Sequence, residues 1–209
     1  MKNTKSIKSI NLKGKRVLDI GGHIGSFALK AISRNVDYVV SFEPNQENYD
    51  LLFQNLMGFE DAETHRLAIT RSDKVVEVRF EACDNPINSG GGCSVTGLGE
   101  VVPSMSLDDA IDKWNPNVIK IDAEGAELEI LKGFEDELEY INMIFIETSL
   151  NDRNNSGATH EAIVQWLRQR GFRLAEMSDS YQQEGWGDSI FLRNNKELKP
   201  FDREKYLLK

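Results

Sequence analysis

Short, almost uninterrupted apolar runs alternate along this chain with stretches in which apolar residues return every three or four positions. Val17, Leu18 and Ile20, then Tyr38 to Phe42, then Met143 to Ile146 are runs of the first kind. Their length and continuity predict parallel strands covered on both faces. Ser26 to Arg34, with Phe27, Ala28, Leu29 and Ile32, has the helical spacing instead. So does the segment opened by Asn45 as N-cap, where Tyr49, Leu52, Phe53 and Leu56 recur before Gly58. Thr159 to Arg170 places Ile163, Trp166 and Leu167 on one stripe and stops at Gly171. Strand and helix patterns taking turns in this way predict an α/β sheet built from crossover units, and no internal repeat is present.

Other segments decorate that plan. Thr64 to Ile69 reads as a third strand. Val75 to Phe80 alternates Val76, Val78 and Phe80 with Glu77 and Arg79, the pattern of a half-exposed antiparallel strand. As an exposed edge it would offer a surface for a homodimer. Asn85 to Gly99 is rich in glycine and fits a substrate lid or a surface excursion. Ser106-Leu107-Asp108-Asp109 resembles a capping box that opens a helix to about Lys113. Phe172 to Met177 and Ser189 to Arg193 read as a closing antiparallel pair, joined by a polar loop holding Tyr181, Trp186 and Asp188.

Length and charge narrow the function. The 209 residues suffice for one sizeable core, so the expected division is a basic leader at 1–15, one domain at 16–194 and a charged tail at 195–209. No apolar run reaches membrane-spanning length and no signal-peptide pattern opens the chain, from which a cytoplasmic location follows as an expectation. Cys83 and Cys93 lack metal-ligand spacing and read as free thiols. The net charge of −9 argues against nucleic acid or an anionic membrane as partner. Residues 1 to 16 hold six basic residues and no acid, a pattern read as a solvated leader.

Candidate chemistry sits where strands end. After the first strand come Gly21, Gly22, His23, Ile24 and Gly25, a G-G-x-x-G turn preceded by Asp19. Glycines let a backbone turn tightly and approach a ligand. The spacing is one residue shorter than the dinucleotide fingerprint, and an acid before it would repel a pyrophosphate. S-adenosylmethionine, with a cationic sulfonium and an amino-acid end, suits it better than NAD. Glu43, followed by Pro44, ends the second strand 18 residues after Gly25, where a carboxylate can accept ribose hydroxyls. Val118 to Ile121 contains Lys120 and leads into Asp122, Glu124 and Glu127 around Gly125. Period-2 geometry puts Lys120 and Asp122 on one strand face, with Glu124 too if the strand persists. A self-satisfying ion-pair cluster and a ligand site both fit that group; ligands of open α/β sheets bind at carboxyl ends of strands, which favours the second. Asp19, Glu43, Asp122 and Glu147 would together make one acidic rim. Asp122 and Glu147 could share a magnesium ion, but no further ligand is evident in the sequence and no metal is expected.

These residues resemble the FkbM family of S-adenosylmethionine-dependent methyltransferases. The resemblance rests on V-L-D-I-G-G-H-I-G, on F-E-P at Phe42 to Pro44, on S-L-D-D at Ser106 to Asp109, and above all on I-K-I-D-A-E-G-A-E-L-E-I-L-K-G at Ile119 to Gly133. It implies a Rossmann-like class I fold, a three-layer sandwich around a mostly parallel seven-stranded sheet with the last strand antiparallel. It also implies methyl transfer to a hydroxyl oxygen of a small molecule or sugar. Carried over residue by residue, Gly21, Gly22 and Gly25 approach the amino-acid end of the cofactor, Glu43 binds its ribose and Asp19 orients the turn. His23 stands where the family often has asparagine; it and Pro44 complete the expected cofactor-binding set, which Asp122 joins. Asp122 is the first candidate for general base or holder of the substrate hydroxyl, with Lys120 and Glu124 tuning its charge. Lys120 would act directly if burial suppressed its own charge. Two other readings stay open at this point, an S-adenosylmethionine-binding module without catalysis and a nicotinamide-dependent oxidoreductase.

Overall fold

The computed structural model describes residues 11–71, 77–81, 94–95, 100–133, 137–151, 158–178, 180 and 184–194. Three strands consecutive in sequence build one half of the main sheet. Strand β1 (Arg16–Ile20) leads through helix α1 (Ser26–Ile32) to β2 (Tyr38–Phe42), and α2 (Gln46–Leu56) leads on to β3 (Ala62–His65). All three strands are parallel. Across β1 lie β8 (Val118–Ile121) and β9 (Met143–Ser149), also parallel. Helix α4 (Glu127–Lys132) connects those two, and α5 (His160–Gln169) follows β9. The last strands, β10 (Phe172–Met177) and β11 (Trp186–Arg193), complete a seven-stranded sheet of order β10-β11-β9-β8-β1-β2-β3. The short return from β10 permits only antiparallel pairing, so β11 runs against both β10 and β9.

The two faces of this sheet are buried by different helices. Ala28 and Ala31 of α1 and Leu52 and Leu56 of α2 pack with Val17, Val39, Val118 and Phe145 on one side. Helix α3 (Leu107–Trp114) and helices α4 and α5 cover Leu18, Val40, Ile119, Ile121 and Ile144 on the other. Alternate residues of each strand therefore enter opposite cores, which is why the strands read as continuous apolar runs. The three-layer Rossmann-like architecture implied by the sequence is present.

Three local expectations are corrected. The run from Thr64 to Ile69 is two strands on different sheets: β3 ends at His65, and β4 (Ala68–Thr70) pairs in parallel with β7 (Glu100–Ser106). With β5 (Glu77–Glu81) and β6 (Ser94–Val95) they make a second sheet of order β4-β7-β5-β6. The strand expected at Val75 to Phe80 is β5, and it lies between β7 and β6 rather than at an edge. The edge argument for a homodimer thus loses its strand. Finally, β9 continues to Ser149 and β11 begins at Trp186, so Glu147, Trp186 and Asp188 lie within strands instead of beyond them. Register sets Asp188 directly opposite Glu147.

Helix starts follow their capping signals. Ser106 accepts a hydrogen bond from the Asp109 N–H, Asn45 from Asn48 and Thr159 from Ala162. Most of the Asn85 to Gly99 stretch, both cysteines, residues 1–10 of the expected leader at 1–15, and the tail lie outside the described residues. Among the described residues no helix is long and apolar enough to cross a membrane.

Candidate functional site

Two turns meet at the carboxyl ends of β1 and β8, and the sheet register explains which side chains they bring together. Asp19 of β1 is flanked in register by Ser41 of β2 and Lys120 of β8, so the three share a face. Asp19 is fully buried; its Oδ2 accepts from Ser41 Oγ at 3.0 Å and its Oδ1 lies 3.2 Å from Lys120 Nζ. The Lys120 ammonium also donates to the carbonyls of Ile20, at 3.3 Å, and Gly21, and lies 3.7 Å from Asp122 Oδ2. A buried charge is tolerated only when paired and hydrogen-bonded, and here it is both. Burial works against the Lys120 charge, but Asp19 and Asp122 outweigh it and raise its pKa above the ordinary value. The condition under which Lys120 would serve as a base is therefore not met.

The first turn is shaped by contact with the second. Gly21 has φ +74°, and a Cβ there would sit 1.9 Å from the Asp122 carbonyl oxygen. Only glycine allows the ends of β1 and β8 to approach so closely. The N–H groups of Gly21 and Gly22 both donate to the Phe42 carbonyl, and Gly25, at φ +90°, starts α1. His23 is itself left-handed, at φ +49°, and its N–H donates to Glu43 Oε2 at 2.8 Å. Glu43 Oε1 accepts from the Asn45 N–H at 2.9 Å, just beyond Pro44. Glu43 is buried, which pushes its pKa up, while those two N–H donors pull it back. Its carboxylate thus ties the glycine turn to the start of α2.

The second turn is shaped by its own helix. The strand stops at Ile121, so Asp122 stays on the Lys120 side while Glu124 is carried into a left-handed turn at φ +52°. Glu127, the first residue of α4 and only 4 % exposed, places Oε1 3.0 Å from the N–H groups of both Ala123 and Gly125. Burial pushes its pKa up to about 7 against the pull of those donors. Carboxylate oxygens of Asp122 and Glu124 in this turn and of Glu147 in β9 lie within 4.8 Å of one another, close enough to face one cation or polar ligand. Asp122 Oδ1 is buried and accepts no hydrogen bond among the described residues. The supposed acidic rim is thereby divided: Asp19 and Glu43 point into the protein and are neutralised or clamped, whereas Asp122, Glu124 and Glu147 converge at its surface.

With that geometry in place the comparison with known families decides the class. Residues 19–174 match the methyltransferase FkbM domain model. The chain belongs to the FkbM methyltransferase family. The family is one of methyltransferases, with S-adenosylmethionine as cofactor, which speaks against the oxidoreductase reading. This FkbM protein is 31% identical over 133 residues to the hexuronic acid methyltransferase AglP of Haloferax volcanii, a match covering 62% of the chain and 54% of that relative. The chain thus spans about half the length of the curated relative it matches. A crystal structure of methyltransferase FkbM from Methylobacillus flagellatus superposes with a TM-score of 0.59 at 16% identity, covering 92% of this chain and 46% of the other. A putative tRNA (m1A22) methyltransferase of Streptococcus pneumoniae in complex with S-adenosyl-L-methionine gives 0.55 at 13%, with coverages of 95% and 75%. These two structures share the fold.

In this FkbM domain the expected site residues are thus gathered around three neighbouring strand ends, those of β8, β1 and β2. Sequence reasoning passed over Ser41, and it grouped Glu127 with Asp122 and Glu124 without giving it a part of its own. Ser41 follows from parallel register with Asp19. The hold of Glu127 on the turn follows from its place two residues after a glycine at a helix start, where a long acidic side chain can fold back onto the preceding turn.

Proposed function

We propose that the protein is an S-adenosylmethionine-dependent O-methyltransferase acting on a hydroxyl of a sugar or similar small molecule. The observation that carries this reading is Asp122 Oδ1, a buried acceptor without a partner among the described residues, beside the converging carboxylates of Glu124 and Glu147. A buried acceptor of this kind costs free energy until a donor arrives, and an acceptor-substrate hydroxyl is such a donor. The relative that is a hexuronic acid methyltransferase supports a sugar as substrate class.

The residues present suit the cofactor. The glycine turn at 21–25 offers bare backbone, Glu43 at the end of β2 keeps a second lone pair on each oxygen beyond its bonds from His23 and Asn45, and the acidic surface suits a cation. When bound, S-adenosylmethionine supplies a methyl carbon activated by its sulfonium. In-line transfer then asks the protein for alignment and for removal of one proton. Asp122 holds the acceptor hydroxyl or takes its proton as the new oxygen–carbon bond forms. Glu124 sets the local charge beside it. Lys120 stays protonated and works through position: it fastens β8 to the last carbonyls of β1, keeping Asp122 next to the glycine turn. Asp19 anchors Lys120, and the N–H groups of His23 and of Asn45, just past Pro44, hold Glu43 between the two loops.

Calorimetric binding of S-adenosylmethionine, with NAD as control, together with methyl transfer to a panel of methyl pyranosides, tests this reading. The wild type should bind the adenosyl ligand and methylate at least one pyranoside; Glu43→Ala should lose binding. Asp122→Asn should keep binding and lose turnover. Turnover retained in Asp122→Asn would remove that residue from the chemistry, and binding without any methylation would favour a non-catalytic module.

A further inference from the structure

Glu127 stays out of the surface cluster and, like Glu43, is held by backbone N–H groups rather than by an ion pair among the described residues. It is 4 % exposed, a costly place for a carboxylate, and among the described residues its carboxylate accepts from backbone N–H groups of a single turn. Those partners flank Glu124: one oxygen spans from Ala123 to Gly125 and encloses the residue between them. Glu124 is held in left-handed backbone, a conformation that a residue with a Cβ adopts only when its surroundings enforce it. The same turn carries Asp122 at one end, against Gly21, and delivers Glu124 to within 4.8 Å of Asp122 and Glu147.

We propose that Glu127 is a positioning residue for methyl transfer, a clamp whose single oxygen holds the Asp122–Gly125 turn in the form that gathers Asp122, Glu124 and Glu147 on the acceptor side. The proposal rests on the reading that this turn faces the acceptor. It distinguishes reach from charge. Glutamine keeps the length of the side chain and an oxygen that can accept both bonds, and removes the ability to ionise. Aspartate keeps the charge and shortens the side chain by one methylene, so the oxygen no longer spans both donors.

Glu127→Gln and Glu127→Asp are therefore the informative pair, with Glu127→Ala as the full deletion. Amide hydrogen exchange at Ala123 and Gly125 should be slow in the wild type and Glu127→Gln and fast in Glu127→Asp. Turnover of whichever methyl pyranoside the wild type methylates should follow the same order. Glu127→Gln should stay near wild type, and Glu127→Asp should lose about 10- to 100-fold in kcat, with S-adenosylmethionine affinity little changed. The reverse order, aspartate active and glutamine impaired, would show that charge and not the clamp matters and would overturn the proposal. Equal activity of all variants would overturn it as well. If no pyranoside is methylated by the wild type, the acceptor reading fails separately, and the exchange rates still decide whether the clamp exists.

Discussion

The turns after β1 and after β8 solve one problem in two ways. Each carries left-handed backbone at non-glycine and glycine positions, at His23 and Gly21 in the first and at Glu124 and Gly125 in the second. Each is held by a buried glutamate that accepts backbone N–H groups. Glu43, however, reaches across from the neighbouring strand and uses two oxygens to join two different loops. Glu127 reaches back from its own helix and uses one oxygen on one loop. The first turn is consequently fixed by the tertiary fold, and the second by four consecutive residues and the helix they start. The turn after β1 shares its fate with the whole sheet; the turn after β8 can vary with less disturbance.

The comparison breaks most severely where the two turns are joined. Lys120→Met should cost about 4 kcal/mol, because it leaves the fully buried Asp19 without its counter-charge, and urea denaturation would measure it. A loss below 1 kcal/mol would mean that Lys120 does not tie the turns together. Gly21→Ala should cost about 3 kcal/mol, since its methyl group would collide with the Asp122 carbonyl and displace both turns at once. Melting temperature is the check, and a stable alanine variant would contradict the close approach of β1 and β8.

Glu127 also predicts a pH dependence. Its pKa of about 7 in the folded protein lies above the ordinary 4.5, so folding favours the protonated form. The stability it contributes is full below pH 4.5 and falls as pH rises through 7, by up to about 3 kcal/mol. Denaturation between pH 4.5 and 8 should show this decline in the wild type and a flatter profile in Glu127→Gln. The two clamps separate further on neutralisation. Glu43→Gln removes one of two acceptor oxygens that are both in use, whereas Glu127→Gln keeps its single accepting oxygen. Near neutral pH the first should therefore be less stable than the second by about 2 kcal/mol. Smallest of all, Asn45→Ala should cost about 1 kcal/mol by losing the side-chain cap of α2 while leaving the backbone N–H that Glu43 accepts. A larger loss in melting experiments would make the cap part of the clamp.

The main sheet was legible because strands buried on both faces leave a local mark, and Val17 to Ile20 or Val118 to Ile121 can be read without knowing their neighbours. The glycine turn and the Ser106 cap were legible for the same reason. What pairs with what is a different matter. Nothing local in Ala68 to Thr70 shows that it joins Ser104 to Ser106, and the fold places those segments together only through pairing across more than thirty residues. The candidate site divides along the same line. Its residues were visible as acids at strand ends, but the inward turn of Asp19 and Glu43 and the outward turn of Asp122 and Glu124 depend on register and on where β8 stops. Lys120 illustrates the point: a lysine inside an apolar strand is conspicuous, while the sign of its pKa shift is decided by Asp19, a hundred residues away in sequence and adjacent in register.

The parallel pairing of β4 with β7 has a consequence for how this domain can be remodelled. Ala68, Ile69 and Thr70 lie alongside Ser104, Met105 and Ser106, so the chain leaves the Rossmann scaffold and re-enters it through one zipped doorway. Whatever is spliced between those hinges needs only to begin and end there, and lengthening it raises the entropic cost of closure slowly, by about 0.6 kcal/mol per doubling. The scaffold thus contains a built-in socket for grafts, in which one cassette can replace another without altering the pairing of the main sheet.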